Sequence, residues 1–306
     1  MKTARKNSTQ EITIESFIME LSLIRSKLTV EAYSYDVAKF LEFMQDRNIK
    51  RLKSIKAEHV TIYLGQNKTA GKSDSTIKRY YNSIKAFFNY LKRMKVIDED
   101  ITANLKTPRA MQKSPRVPSL SEIDLILTRP NVDTEAGARD RAILELLYSS
   151  GLRASELCDL TIGDVEAGQV LVQCGKGNKT RTIPMTSSAK YFVSLYKSKY
   201  REDSERDEYL FITMYGRKLR RQFLSTMVSQ YAKEAKIDGI TTHSLRHACA
   251  THLLDHGADL RLIQEVLGHA SLASTQRYTH LSSNKMKQMF DQFHPRKEIH
   301  HVTTTL

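Results

Sequence analysis

Hydrophobic residues recur every three or four positions through the first hundred residues, which is the period of an amphipathic helix. Four segments show this pattern, and polar stretches such as Lys68–Ser73 separate them. The apolar positions are Ile14, Phe17, Ile18, Leu21 and Ile24; Tyr33, Val37, Phe40, Leu41 and Met44; Val60, Tyr63 and Leu64; and Ile77, Ile84, Phe87, Phe88 and Leu91. The pattern predicts four helices, each with one apolar face turned inward.

The hydrophobic period changes in the middle of the chain. A helical segment, Ala138–Ser149, is followed by short apolar runs with turn residues at Ala167–Gly168 and Gly175–Asn178. The apolar positions of these runs are Val165, Val170, Leu171, Val172 and Ile183. Short runs bounded by turns are typical of hairpins, so we expect a small antiparallel three-stranded sheet here. Residues 188–240 return to a mostly helical pattern.

The last third of the chain predicts further helices. They are Ser244–Asp255, Asp259–Leu267, a segment that opens near Ser274 or Thr275, and Asn284–His294. Gly257 and Gly268 follow the first two, where a glycine commonly ends a helix. The last segment has a narrow apolar stripe, which has to be buried either on its own domain or in a pocket of a neighbouring subunit. We expect the neighbouring subunit.

The stretch 103–118 contains three prolines and no periodicity, so it predicts a linker between two domains. We expect an N-terminal helical domain at 11–98, a linker at 99–118, a second domain at 119–296 and a flexible tail at 297–306. The second domain opens with a helix that Ser121 can cap. A chain of 306 residues is long enough for two domains with separate cores.

Charge narrows the choice of partner. The formal net charge is +14, and most of the excess lies before residue 114, which indicates a polyanion such as nucleic acid or a membrane surface. The fourth helix carries a polar stripe, Lys78, Asn82, Lys85, Asn89 and Lys92, opposite its apolar face. Alone, this stripe is as consistent with a solvated surface as with DNA contact. The N-terminal charge favours DNA contact.

The cysteines and the apolar runs indicate the compartment. Cys158, Cys174 and Cys249 are widely spaced and odd in number, which favours reduced thiols over a disulfide framework or a zinc site. The first residues lack an apolar signal core, and no run of about 18 apolar residues occurs. We therefore expect a cytoplasmic protein without membrane attachment.

Candidate chemistry is concentrated between Thr242 and Leu281. His243 and Arg246 are three residues apart and share a helix face, His269 follows Gly268, and Tyr278 lies about one turn into the next segment. Two histidines, an arginine and a tyrosine without a carboxylate partner suit an anionic substrate better than a metal ion.

These residues, together with two earlier motifs, resemble the tyrosine recombinase (phage-integrase-like) family. The earlier motifs are Ser149–Leu157 (S-S-G-L-R-A-S-E-L), which contains Arg153, and Gly175–Arg181 (G-K-G-N-K-T-R), which contains Lys176. The expected positions are filled in the family's order over nearly the whole chain. The compact Xer-type recombinases are the most similar group.

The resemblance implies a fold, a site and a reaction. The fold is mainly α, with a four-helix DNA-gripping domain and an α+β catalytic domain that holds the small antiparallel sheet. The catalytic residues implied are Arg153, Lys176, His243, Arg246, His269 and Tyr278. Tyr278 is the nucleophile, the arginines and histidines bind the phosphate, and Lys176 on its hairpin is the best candidate to protonate the departing 5′-oxygen. No cofactor or metal is expected, because transesterification conserves the bond energy.

The expected function is site-specific recombination of double-stranded DNA through a 3′-phosphotyrosyl intermediate, by a tetramer on two paired sites. The task is either dimer resolution or movement of an integrated element, with or without a paralogous recombinase. A type IB topoisomerase, which relaxes DNA as a monomer, is the alternative enzyme, and Asn284–His294 argues against it. A DNA-binding protein without chemistry would have no use for the complete set of site residues.

Overall fold

The computed structural model of the chain describes residues 2–107, 116–173, 180–268 and 283–296, with backbone alone for 2–12 and 283–285. Lys176, His269, Tyr278 and the predicted tail therefore lie outside the described residues. The chain divides into two compact units, residues 1–113 and 114–306. The division falls inside the predicted linker, and the finer domain boundaries stay a prediction.

The N-terminal unit is helical. Its elements are α1 (Lys2–Ile24), α2 (Lys27–Asp46), a 3-10 turn (Leu52–Ser54), α3 (Ala57–Thr69) and α4 (Asp74–Arg93). The four predicted apolar faces supply one core, in which Phe17, Phe40 and Phe88 are buried, although Ile24 at the end of the first face is exposed. After α4, Ile101 and Leu105 pack against the same core, and Leu105 accepts a hydrogen bond from the Tyr81 hydroxyl at 2.9 Å.

Helix α4 has the amphipathic form that the sequence predicts. Ser73 caps it by accepting a hydrogen bond from the backbone N–H of Thr76 at 3.2 Å. The apolar face is buried, whereas the predicted polar stripe lies outside the core. Of that stripe, Lys78 is exposed and Lys85 is half-buried, with its ammonium 5.8 Å from the centre of the Tyr81 ring. The stripe thus lies on the face of α4 opposite the core, with Lys78 and Lys92 exposed.

The second unit is also mainly helical, with one small sheet. Its elements are α5 (Leu120–Leu127), α6 (Glu135–Ser149), α7 (Ala154–Asp159), β1 (Val165–Glu166), β2 (Gln169–Val172), β3 (Arg181–Pro184), α8 (Ser187–Tyr200), α9 (Arg221–Glu234), α10 (Thr242–Asp255), α11 (Leu260–Leu267) and α12 (Ser283–Phe293). This architecture confirms the predicted fold class. Among the described helices, none is long and apolar enough to cross a membrane.

The cap predicted at the start of this unit is wrong by two residues. Ser119, not Ser121, caps α5, because Glu122 lies three positions after Ser119 and the pair form a capping box. The Ser119 hydroxyl accepts from the Glu122 N–H at 3.3 Å, and the Glu122 carboxylate accepts from the Ser119 N–H at 2.9 Å.

Helix α6 is the central helix of the second unit, and its residues 137–149 are all buried. It packs against α8 and α10, and its buried charges are paired, as between Arg141 and Glu145 at 2.9 Å. The chain leaves α6 through Gly151, whose φ of +54° lies in the left-handed region. The turn leads to Arg153, the N-cap residue of α7.

The sheet is the antiparallel meander that the sequence predicts, in the order β1-β2-β3. Ala167 and Gly168 have φ angles of +49° and +75°, so a two-residue turn joins β1 to β2. Val172 of β2 pairs with Arg181 of β3. The segment between those two residues contains Lys176, so the pairing defines where the lysine hairpin is attached.

Helix α12 packs on its own unit, against β3 and α11. Phe290 is fully buried in the core, and Met286, Met289 and Phe293 are partly buried around it. Beyond the helix, Arg296 is 3% exposed, and its Nη2 atom is 3.1 Å from Glu145 Oε1. The apolar stripe expected in a neighbouring subunit is therefore covered within the isolated chain, because its own core offers the apolar surface.

Candidate active site

Arg153 is the first site residue along the chain and occupies the N-cap position of α7. Its backbone N–H donates to Glu156 Oε2 at 2.8 Å, and its Nη1 donates to Glu156 Oε1 at 2.6 Å. Its Nη2 donates to the carbonyl oxygen of Gly268 at 3.2 Å. The side chain is 44% exposed, so its guanidinium is oriented by protein contacts while remaining accessible to a ligand.

Arg246 lies on α10 and is buried. Its Nη2 donates to the carbonyl oxygen of Leu267 at 2.7 Å, and its Nη1 donates to the carbonyl oxygen of Gly151. Burial, followed by the Arg153 cation, lowers the pKa of Arg246 to about 10. Arg246 is still protonated at neutral pH, and a bound anion would favour its charge further.

Glu156 and Arg181 complete this charged cluster, and the sequence did not identify either. Glu156 accepts from Arg181 Nη2 at 2.8 Å in addition to its bonds from Arg153. Burial acts to raise the pKa of Glu156, but the hydrogen bonds from Arg181 and from the Arg153 backbone lower it overall. A carboxylate therefore stays ionised between the cations. The signal in the sequence was the Glu three residues after a helix start, which is the spacing of a capping box.

His243 lies in the first turn of α10, three residues before Arg246. The Thr241 hydroxyl caps this helix and accepts from the Ser244 N–H at 3.2 Å. The His243 side chain is exposed and lines a cavity of about 490 Å³ together with Arg153 and Arg246. The other residues that line it are Leu152, Ala154, Thr242, His247, Ala250 and Leu267. The structure thus brings Arg153, His243 and Arg246 together, as the sequence predicts.

Another histidine of α10 faces the same cavity. The sequence favours a packing or surface role for both His247 and His252. His252 fits this, since its Nδ1 is 2.9 Å from the buried Tyr148 hydroxyl. His247 is a helix-surface residue that also lines the cavity, and its Nδ1 is 3.1 Å from the Thr251 hydroxyl. Its position four residues after His243, on the same helix face, was the available signal.

A basic groove continues from the cavity, and the two share Ala154 and Thr242 as lining residues. The groove has a volume of about 910 Å³ and is lined by Lys218, Arg220 and Arg221, with one carboxylate, Asp159, which pairs with Lys218. The sequence signal was the run G-R-K-L-R-R at 216–221. An excess of cations beside a cavity lined by two arginines suits the backbone of a nucleic acid.

The described residues contain no group of three or more His, Cys, Asp or Glu side chains that could hold a metal ion. Cys158 and Cys249 are both buried free thiols, and burial raises the pKa of Cys249 to about 12. A thiol with this pKa is a poor nucleophile at neutral pH.

Two family profiles match the chain. "Phage integrase family" matches residues 119–285, and "Phage integrase, N-terminal SAM-like domain" matches residues 14–95. A tyrosine recombinase XerD of Oceanobacillus iheyensis is 37% identical over 295 residues, covering 94% of this chain and 99% of the relative. A tyrosine recombinase XerD of Chlamydia trachomatis is 38% identical over 293 residues, covering 92% of this chain and 96% of the relative.

Solved structures of a recombinase and an integrase are also similar to this chain. The XerH site-specific recombinase bound to its difH substrate in a pre-cleavage complex is 26% identical, with a TM-score of 0.63, covering 85% of this chain and 78% of that one. A lambda integrase dimer bound to a COC′ core site has the same fold, at 17% identity and a TM-score of 0.70, covering 89% of this chain and 98% of that one. The chain therefore belongs to the phage integrase family and is a tyrosine-type site-specific recombinase of the Xer type, an enzyme that cleaves and rejoins DNA strands.

Proposed function

We propose that the recombinase carries out its reaction with Arg153, Lys176, His243, Arg246, His269 and Tyr278. The observation that supports this most strongly is that Arg153 and Arg246 line one cavity with His243. Among the described residues, Arg246 uses two of its N–H groups on carbonyl oxygens. A guanidinium has five N–H donors, so donors are left for phosphate oxygens.

The two arginines act as clamps on the scissile phosphate. A phosphodiester carries one negative charge, and charge grows on its non-bridging oxygens as the nucleophile adds. A guanidinium can bind two of these oxygens and keeps its charge at neutral pH. His243 and His269 add hydrogen bonds to the same oxygens. Fixed donors aimed at developing charge typically contribute about 3–4 kcal/mol each to lowering the barrier.

Tyr278 supplies the nucleophile. Its phenolic oxygen attacks phosphorus, the bond from phosphorus to the 5′-oxygen breaks, and the protein is joined to the 3′-phosphate. An ordinary phenol has a pKa of about 10, so the reaction at neutral pH depends on the neighbouring cations and on a base. The phenolic proton goes to that base, for which His243 is one candidate. Lys176 donates a proton to the 5′-oxygen as it leaves.

The rest of the chain positions double-stranded DNA. We propose that residues 11–98 form a DNA-gripping domain, that 99–118 link it to the catalytic domain at 119–296, and that 297–306 form a tail. The outward Lys78–Lys92 stripe and the basic groove at Lys218, Arg220 and Arg221 support binding along the phosphate backbone.

We further propose that the protein works in the cytoplasm as a tetramer on two paired sites, alone or beside a paralogous recombinase. Its task is the resolution of chromosome or plasmid dimers, linked to chromosome partition and cell division, or the movement of an integrated element. The relatives named above favour a recombinase over the topoisomerase alternative.

Recovery of covalent adducts tests this function. Wild-type protein is incubated with genomic DNA, the mixture is denatured, and DNA that stays attached to protein is sequenced. We expect adducts at a defined sequence with the wild type and none with Tyr278→Phe, which lacks only the attacking oxygen. An adduct formed by Tyr278→Phe would remove Tyr278 from its role. Adducts at one locus indicate dimer resolution, whereas adducts at the two ends of an inserted segment indicate its movement.

A further inference from the structure

The end of α11 binds arginines from three different parts of the catalytic unit. The last carbonyl groups of a helix have no partner within the helix and form the negative end of its dipole. Here Val266 accepts from Arg181 Nε at 3.2 Å, Leu267 accepts from Arg246 Nη2 at 2.7 Å, and Gly268 accepts from Arg153 Nη2 at 3.2 Å. Arg153 and Arg246 are the proposed clamps, whereas Arg181 is not among the proposed catalytic residues.

Arg181 is held on two sides. Its Nη1 and Nη2 bind the two oxygens of Glu156 at 3.1 and 2.8 Å, while its Nε binds Val266. Its side chain is 11% exposed, so these contacts are shielded from solvent. The guanidinium lies against Gly268, where an added Cβ atom would be 2.8 Å from Nη1. The arrangement therefore needs both the planar fork of an arginine and the missing side chain of Gly268.

The backbone of Arg181 is held by strand pairing. It is the first residue of β3 and pairs with Val172 of β2. The segment that joins these two strands contains Lys176. Arg181 therefore stands at the base of the lysine hairpin. Its side chain ties that base to Glu156 of α7 and to Val266 at the end of α11, the helix end to which Arg153 and Arg246 also donate hydrogen bonds.

We propose that Arg181 is a positioning residue that holds the hairpin in the place from which Lys176 reaches the leaving 5′-oxygen. The proposal rests on the function proposed above, in which Lys176 is the acid. Arg153 keeps its own two bonds to Glu156 when Arg181 is removed. Loss of the Arg181 side chain therefore removes the polar link from the start of β3 to Glu156 of α7 and Val266 of α11, and leaves the Arg153–Glu156 pair in place.

Two substrates separate a defect in the acid step from a defect in the phosphate clamp. Both substrates are duplexes that contain the DNA site identified by adduct recovery. Each carries a nick, so that the cleaved product is trapped. One has an ordinary 5′-oxygen at the scissile phosphate, and the other has a 5′-bridging sulfur, which leaves as a thiolate without needing a proton. The full-length variants are Arg181→Gln, Lys176→Ala and, as a matched control, Arg206→Gln, which removes an exposed arginine that pairs with Glu166 of β1.

We expect Arg181→Gln to cleave the ordinary duplex about 100-fold more slowly, which is the scale of losing the correct placement of a reacting group. On the sulfur substrate it should return close to the wild-type rate, as should Lys176→Ala. Arg206→Gln should resemble the wild type on both substrates. Arg181→Lys should share the selective defect, because an ammonium cannot bind two carboxylate oxygens and a carbonyl in one plane.

Each other result overturns the proposal in a distinguishable way. If Lys176→Ala is rescued by sulfur and Arg181→Gln is not, Arg181 does not act through the lysine. If neither is rescued, the acid role of Lys176 fails together with the proposal. Thermal unfolding and single-site binding are measured for every variant. If Arg181→Gln does not fold, Arg181→Lys decides the matter, and an equal slowing of that variant on both substrates counts against a positioning role.

Discussion

Arg246 donates a hydrogen bond to the carbonyl oxygen of Gly151, a residue 95 positions earlier in the chain. The bond connects α10 to the turn that delivers Arg153, so both proposed clamps depend on the conformation of that turn. Gly151 has a φ of +54°, and a Cβ atom there would be 2.7 Å from Leu267 Cδ2 and 3.4 Å from Cys249 Sγ. The glycine of the S-S-G-L-R motif is therefore required both by its backbone angle and by the packing around it.

Gly151→Ala is expected to reduce the free energy of unfolding by about 1–3 kcal/mol, the cost of a left-handed conformation for a residue with a side chain. Covalent adduct formation should also slow, because relief of the clash moves the carbonyl that orients Arg246. Chemical unfolding and single-turnover cleavage measure the two effects. The control is Gly71→Ala, with a φ of +83° and no atom near the added Cβ. If Gly151→Ala cleaves DNA as fast as this control, the turn does not set the geometry of the site.

The cationic stripe of α4 gives a second prediction, about DNA affinity. Changing Lys78 and Lys85 to Ala in the full chain should flatten the dependence of the logarithm of the binding constant on the logarithm of salt concentration. The slope should change by about one unit for each DNA phosphate that the variant no longer neutralises. Lys39→Ala, on α2 and paired with Glu42, is the control. An unchanged slope in the double variant would show that the stripe is only a solvated helix surface.

The sequence predicted local features of the fold and site, but it did not predict contacts between residues that are far apart in the chain. The α4 faces followed from periodicity, and Arg153, His243 and Arg246 followed from motifs that resemble a known family. Arg181 was visible only as the last letter of the lysine motif. Its partner Glu156 is 25 positions away, and their meeting depends on how β3 packs beside α7. A contact of this kind has no periodic signature in the sequence.

The sequence left the cap position and the surface that covers α12 undecided for related reasons. Ser119 and Ser121 are equally good cap residues by type, and the reciprocal bond with Glu122 decides between them. The stripe of α12 showed correctly that the helix must be covered, but amphipathicity does not specify which surface covers it. In the isolated chain, the core of its own unit does so.

A third prediction concerns pH and the segment after α12. His294 is 1% exposed, and its ring packs against Tyr148 and Phe290. Burial, followed by the charge of Arg296 and the nearby His252 and His256, lowers the pKa of His294 to about 3. Above the ordinary histidine pKa of about 6.5, neither the folded nor the unfolded state binds a proton at this position. Below it the unfolded state alone does so, and stability falls as the pH falls.

Below about pH 6.5, the titration of His294 lowers the free energy of unfolding by about 1.4 kcal/mol per pH unit, until the pH approaches the pKa of His294 in the folded state. His294→Gln keeps an acceptor for the Arg296 N–H, which in the wild type donates to Nδ1 at 3.1 Å, but removes the titrating group. Urea unfolding from about pH 7 to about pH 5 should therefore show a shallower loss of stability in the variant than in the wild type. Equal slopes would mean that His294 is not excluded from protons in the folded chain.

The last prediction concerns where α12 is docked, before and during assembly. Phe290 is fully buried in the core of its own unit, so Phe290→Ala should lower the free energy of unfolding of the isolated chain by about 3–5 kcal/mol. Because the packing is within one chain, the wild-type melting temperature should not change with protein concentration. A melting temperature that rises with concentration would show that subunits already associate in the absence of DNA.

On DNA, a tetramer requires contacts that pass from each subunit to the next around a closed ring, and a helix released from its own unit can supply one. A protein truncated before residue 284 should then bind a single site yet fail to form paired-site complexes, as seen by gel mobility and by strand exchange. Adduct formation is measured alongside, because the truncation removes the anchor that follows Tyr278. If the truncated protein recombines two sites at the wild-type rate, α12 is a structural part of its own unit and some other surface holds the tetramer together.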